Sequence, residues 1–492
     1  MSAVSHDPPL LDHPGGRLRA WQALGRAIAA VPAWPEAIGG TPPVPRQVTK
    51  KPVTSKPGAT GFDLLVHLFV GHDAVDARAF AERIRPAKVA ELEAGGLLER
   101  SGTEVVSKFG IERWGGVAVL HDWPEWRDAA GYVMGLTNSG RSLAWFSPRV
   151  RTGRVLDLGT GCGVQAVCAA SHAETVVAVD VNPRAVVMTE ASAALCGTDR
   201  VEAREGSWFE PVEGESFDLV VTNPPFVISP ENRLVYRDGG RQADELCGAL
   251  LADLPEVMAL GGRAVMLVEW ARRSGEEWST TPLKWLAPPA TDGIVVRYGD
   301  STPLEYATRW NQMVAPDPVS LRRTVRTWMA EYERLGLEHM YEGVICLRRP
   351  QRPAGDSSDS WAIIADRFLD GPGGDQLADV LDGHVTTEGA EPEALADLCV
   401  HPVAGHRFDQ ELTFDGDEYV LGRIGGGFPT GAGIDVAVTP TELQFLLTLE
   451  PGASLGDAMD RKDGDDLERH EVFDLVARLV RAGLVRLTSS AS

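Results

Sequence analysis

Between residues 155 and 167 the sequence reads VLDLGTGCGVQAV, and no other stretch restricts the fold as tightly. An apolar run leads into Gly159, Gly161 and Gly163, and a helix-forming run follows. Glycine at alternate positions opens backbone conformations closed to other residues and lets a ligand come close where side chains would collide. A strand, such a turn and a helix in succession predict a parallel α/β unit. Asp180 ends the next apolar run, 21 residues after Gly159, where an acid suits hydrogen bonding to ribose hydroxyls. The dinucleotide pattern G-x-G-x-x-G needs glycine at 164, and Val164 stands there instead.

The same alternation continues to about residue 350. RVLDLG, TVVAVDV, FDLVVTN and GGRAVMLVEW read as strands, and PRAVVMTEASAAL and DELCGALLADLPEVMAL as helices. The pattern predicts a mostly parallel sheet with helices on both faces. At the end of the expected fourth strand lies NPPF, Asn223, Pro224, Pro225 and Phe226. A planar amide or arylamine nitrogen is a poor nucleophile because its lone pair is delocalised. The Asn223 side-chain oxygen and the Pro224 carbonyl can each accept one N–H, turning the lone pair toward an electrophile by orientation and electrostatics alone. Two prolines stiffen the loop and keep it out of the sheet. Phe226 can stack on a flat group.

The glycine loop, in its spacing D-x-G-x-G-x-G, resembles that of class I S-adenosylmethionine-dependent methyltransferases, and NPPF resembles the signature of their amino-methyltransferase members. That group includes enzymes acting on exocyclic nitrogens of adenine or guanine and the HemK-like enzymes acting on a protein glutamine. The resemblance covers about residues 130–350. It implies a Rossmann-like α/β core and S-adenosylmethionine as cofactor. By resemblance, the cofactor set is Asp157, Gly159, Thr160, Gly161, Gly163, Asp180, Asn182, Ser207, Trp208 and Asn223. Within it Asp157 braces the loop near the methionine amino group, Asp180 and Asn182 serve the ribose, and Ser207 and Trp208 stand where adenine is contacted. Asn223, Pro224, Pro225 and Phe226 form the catalytic loop. Thr137 and Ser142 lie in a segment expected over the cofactor, and Arg237 and Asp238 in one expected over the substrate.

The flanks predict accessory domains. Residues 1–60 hold an amphipathic helix (Leu18, Trp21, Leu24, Ile28) and a proline-rich linker with Lys50, Lys51 and Lys56. Residues 61–128 read as three short helices followed by a strand, TEVVSKF, and three helices with a β-hairpin resemble a winged-helix domain. A methyltransferase domain spans 129–350, and an acidic α+β domain spans 360–492 after a polar linker. Residues 351–492 carry 10 Lys and Arg against 27 Asp and Glu, so a polyanion is repelled there. Arg322, Arg323 and Arg326 read as a solvated helix face. Six cysteines without a C-x-x-C pair, and His401 and His406 without company, predict no disulfide framework and no metal site. No run of about 18 apolar residues predicts a membrane span, and a cytoplasmic protein is expected. The expected partner is macromolecular, RNA (or DNA) or protein. A nucleobase amine is favoured by NPPF and the winged helix, a glutamine amide by the acidity and the DLGTG loop. A small-molecule methyltransferase and an inactive binding module with this fold are the alternatives.

Overall fold

The structure is a computed structural model that describes residues 11, 18–31, 61–127, 129, 131–230, 244–286, 292–312, 315, 317–350, 361–366, 371–388, 390–460 and 467–489. The proline-rich stretch with Lys50, Lys51 and Lys56, the segment with Arg237 and Asp238, and the linker 351–360 lie outside the described residues. The chain divides into two units, Met1–Ala144 with Arg151–Trp270 and Arg326–Glu331, and Trp145–Val150 with Ala271–Val325 and Tyr332–Ser492.

The first unit is built on five strands: β1 (Thr152–Leu158), β2 (Ala173–Asp180), β3 (Val201–Glu205), β4 (Phe217–Thr222) and β5 (Met258–Arg273). Their hydrogen-bonded order is β5-β4-β1-β2-β3, with parallel pairing throughout. This is the doubly wound, Rossmann-like order, which reverses between β1 and β4. Strands buried on both faces read as apolar runs, and Val155, Leu156, Val176, Val177, Val220 and Val221 are all buried. Three helices, α1 (Val164–Ala169), α2 (Pro183–Cys196) and α3 (Glu245–Val257), connect them. The helix predicted to run through MAL stops at Val257, and β5 begins at Met258.

Ahead of this core, the helix Leu18–Ala29 buries Trp21, Leu24 and Ile28, while Leu18 remains exposed. Its Gly25 lies so near α2 that a Cβ there would meet the Leu195 carbonyl oxygen at 1.9 Å. Helices Gly61–Phe69, Ala77–Arg83 and Val89–Ala94 follow, with an antiparallel sheet of Val75–Asp76, Leu98–Ser101 and Glu104–Ser107. The strand predicted over TEVVSKF breaks after Ser107, whose buried hydroxyl donates to the Phe109 carbonyl at 2.6 Å. A hairpin that the sequence reading passed over, Phe109–Trp114 with Val117–Asp122, comes next. Its Leu120 amide donates to Ser192 of α2 at 3.0 Å.

The second unit contains an antiparallel pair, Asp292–Ser301 with Leu337–Arg348, flanked by the parallel strand Ala362–Ala365. Toward its end lie a three-stranded antiparallel sheet over 407–438 and the helix Arg469–Arg481, grouped around Phe445, Leu475 and Val476. No helix among the described residues is long and apolar enough to cross a membrane.

Candidate functional site

Parallel register lines up the carboxyl ends of the central strands. Leu158 pairs with Val179 on one side and with Thr222 on the other, so the glycine loop, Asp180 and Asn223 emerge in one row at the point where the strand order reverses. Open α/β sheets bind their ligands in that crevice. The Thr222 hydroxyl donates to the Leu158 carbonyl at 2.8 Å and ties the two strand ends together.

Asp157, at the end of β1, is 1% exposed. It accepts hydrogen bonds from the Thr160 hydroxyl at 2.7 Å and the Ala166 amide at 3.0 Å, fastening the loop to the first turn of α1. Burial nonetheless pushes its carboxyl up to about 7. A buried carboxyl of that kind is stabilised by an arriving cation. Asp180 accepts from the Gly161 amide at 2.9 Å and from the Asn182 amide at 2.9 Å, and burial raises its carboxyl as well.

The three glycines have two distinct reasons to be glycine. All are left-handed, with φ of +76° at Gly159, +57° at Gly161 and +82° at Gly163. A Cβ on Gly163 would lie 2.9 Å from Thr189 Cα, so this position is closed by α2. A Cβ on Gly159 or Gly161 would meet no atom within 4 Å, so these two face open space beside the strand ends. Cys162, between Gly161 and Gly163, is buried, and burial drives its thiol up to about 12, which suits an inert filler of the turn.

Asn182, expected at the ribose, has both ends of its side chain engaged elsewhere. Its oxygen accepts from the Arg184 amide at 3.0 Å, capping α2, and its nitrogen donates to the Gly131 carbonyl at 3.2 Å. Ser207 and Trp208 follow β3 in a tight turn, with Trp208 held at φ +49°. The Gly206 amide before them donates to the Asp180 carbonyl at 3.0 Å.

Asn223 directly follows β4. Its side-chain nitrogen donates to the Ser139 hydroxyl at 3.2 Å, and Ser139 lies 2.8 Å from the Thr137 hydroxyl, which accepts from the Gly140 amide. Engagement of the nitrogen leaves the oxygen as the accepting end of the amide. Pro224 is buried and Pro225 half-buried. Phe226 is 8% exposed.

The segment 131–140 is itself held by residues that sequence reasoning missed. Asp122, fully buried, accepts from the Val133 amide at 2.9 Å and pairs with Arg184 of α2. Glu112 accepts from the Leu136 amide at 2.7 Å, and Gln165 donates to the Gly140 carbonyl at 2.6 Å. Ser142 is half-buried, and Arg322, Arg323 and Arg326 lie on an exposed helix face. His401 is exposed and His406 bonds the Val403 carbonyl. Among the described residues no group of His, Cys, Asp and Glu could hold a metal ion.

The family described as the methyltransferase small domain matches residues 142–243, which run from just after Ser139 through the glycine loop and NPPF. A putative protein N5-glutamine methyltransferase of Methanocaldococcus jannaschii is 30% identical over 142 residues, 27% of this chain and 70% of that protein. The chain belongs to the class I S-adenosylmethionine-dependent methyltransferases. The methyltransferase region is also 42% identical over 76 residues to the release factor glutamine methyltransferase of Aliivibrio fischeri, 15% of this chain and 27% of that one. It is 33% identical over 156 residues to the ribosomal protein uL3 glutamine methyltransferase of Bradyrhizobium diazoefficiens, covering 29% and 49%. The chain thus spans half or less of the length of these last two relatives.

Proposed function

We propose that this methyltransferase moves a methyl group from S-adenosylmethionine to the side-chain amide nitrogen of a protein glutamine. The observation that carries this reading is the Asn223 amide, whose nitrogen donates to Ser139 and whose oxygen is left to accept, one residue beyond the register pair that joins β4 to the glycine-loop strand.

The residues present fit the cofactor. The open space at Gly159 and Gly161 admits a backbone-hugging ligand, and the buried Asp157 offers an ionisable partner for an ammonium group. Asp180 is the ribose partner in this reading, and Ser207 with Trp208 borders the adenine. Thr160 holds Asp157, Gly163 seats the loop on α2, and Asn182 holds the rim at Gly131. When bound, the cofactor supplies an electrophilic methyl group. Asn223 Oδ1 and the Pro224 carbonyl each accept one N–H of the substrate amide, which turns the nitrogen lone pair out of conjugation. A new N–C bond forms as the methyl–sulfur bond breaks, and one nitrogen-bound proton leaves to water.

A protein substrate is favoured over RNA because the matched relatives are named for protein glutamines and the C-terminal third is strongly acidic. The helix, strand, helix, helix and hairpin order over 61–107 supports a winged-helix-like accessory domain. Its apolar residues join the same core cluster as α2, so we read it as a packing unit. We retain 129–350 as the methyltransferase domain and 360–492 as an α+β accessory domain.

Replacing Asn223 by Ala tests the reading. Turnover on a glutamine-bearing protein substrate should fall roughly a hundredfold or more, the scale of one positioned electrostatic contact, while S-adenosylhomocysteine affinity stays within a few fold. Intact turnover, or lost cofactor binding in a folded variant, contradicts it.

A further inference from the structure

The antiparallel pair Arg407–Phe414 and Tyr419–Gly427 carries an apolar face that the described residues leave exposed. Register places Leu412 opposite Leu421 and Phe414 opposite Tyr419, and the two-residue period of a strand puts all four side chains on one face. They are 59%, 41%, 55% and 72% exposed. The rings of Phe414 and Tyr419 lie 5.3 Å apart at the tip, a joined aromatic surface. Among the described residues the third strand, Asp435–Val438, pairs with residues 424–427 alone, so beyond Arg423 the described arm is two-stranded. A two-stranded hairpin is marginal in water unless its apolar face is covered, and exposed apolar patches of this kind mark interaction surfaces.

Charge selects what covers it. Between Phe408 and Gly422 the arm holds Asp409, Glu411, Asp415, Asp417 and Glu418 and not one Lys or Arg. Asp415 accepts from the Asp417 and Glu418 amides at 2.9 and 3.0 Å, so the tip is an ordered turn. Arg407 pairs with Asp409 at 2.9 Å, and the remaining Glu411, Asp415, Asp417 and Glu418 gather toward the tip, where they repel RNA and an anionic lipid surface and where a second copy would bring the same charges together. A protein surface with lysines or arginines around an apolar recess complements both features.

We propose that the arm over 407–427 docks a basic protein surface and, resting on the glutamine reading, that this surface belongs to the protein substrate. The test uses the full chain, purified release factor and purified ribosomal protein uL3 as probes, with polyuridylate as the RNA arm and light scattering for self-association. Binding is measured without cofactor, so a missing methyl transfer sinks the glutamine reading and leaves the docking result intact. At least one of the two proteins should bind, and Phe414→Ser with Tyr419→Ser should weaken that binding at least tenfold. Glu411→Lys with Glu418→Lys should do the same, and both variants should keep the parent's circular dichroism and S-adenosylhomocysteine affinity. With the bound protein as substrate, KM should rise and kcat at saturation should hold. The proposal is overturned if neither protein binds or if arm variants bind it unchanged. It is equally overturned if polyuridylate binds through the arm, or if the variants merely turn a dimer into a monomer.

Discussion

Gly161 and Gly163 sit two residues apart in one loop, yet the same substitution should damage different properties. At Gly163 an alanine must hold φ near +82°, which costs about 1–2 kcal/mol for an L-residue. Its Cβ must also displace Thr189 Cα from 2.9 Å, a backbone atom of α2 that cannot rotate away. Overpacking of that sort adds about 1–3 kcal/mol, so Gly163→Ala should lose about 2–5 kcal/mol of stability. At Gly161 the left-handed cost of about 1–2 kcal/mol stands alone, because the added methyl meets no protein atom within 4 Å. That methyl instead enters the open space and should weaken S-adenosylhomocysteine binding at least tenfold, or about 1.4 kcal/mol. Urea unfolding midpoints and titration calorimetry on the two variants separate the effects. Equal stability losses would refute the packing of the loop on α2. Affinity within twofold of the parent in Gly161→Ala would show that this space is not where the cofactor lies.

Two other outcomes follow from buried carboxylates. The Asp157 carboxyl is raised to about 7 in the fold, so the native state holds a proton that the unfolded chain has lost; stability on its account falls as pH rises from about 4 to about 7. A cofactor ammonium beside it favours the ionised form, so binding near pH 6.5 should release up to about one proton, seen as buffer-dependent calorimetric heats; persistence of that release in Asp157→Asn would assign it elsewhere. Replacing Asp122 by Asn breaks its buried pair with Arg184 and should cost about 3–5 kcal/mol, with faster proteolysis over residues 127–137; an unchanged unfolding midpoint would remove the pair from the account.

What the sequence discloses here is what is encoded over short spans. The strand, glycine turn and helix at 152–169 and the NPPF loop after β4 are legible because apolar periodicity and glycine placement act locally. The hairpin over 109–122 passed unnoticed for the opposite reason. Its value lies in Asp122 meeting Arg184, 62 residues away, and Glu112 meeting Leu136, pairings with no local pattern to reveal them. Asn182 has the type and position that suit a ribose contact, and its place before Pro183 also makes it a helix cap. Phe226, an aromatic beside two prolines, suggests a stacking platform, and the fold leaves it only 8% exposed, a burial that depends on long-range packing no short pattern shows.

Asn223 is only as useful as its orientation. An asparagine amide turned end for end offers N–H where a carbonyl is needed, and nothing in NPPF itself selects the correct end. Here the nitrogen donates to Ser139, whose hydroxyl lies 2.8 Å from that of Thr137, and Thr137 in turn receives the Gly140 amide. These residues hold their places because Glu112, Asp122 and Asn182 grip the backbone at Leu136, Val133 and Gly131. Two of those three grips come from the hairpin that precedes the α/β core. The placement of the Asn223 amide therefore leans on Glu112 and Asp122, outside the glycine-loop and NPPF motifs, through a chain of largely part-buried hydrogen bonds that motif reading alone does not reach.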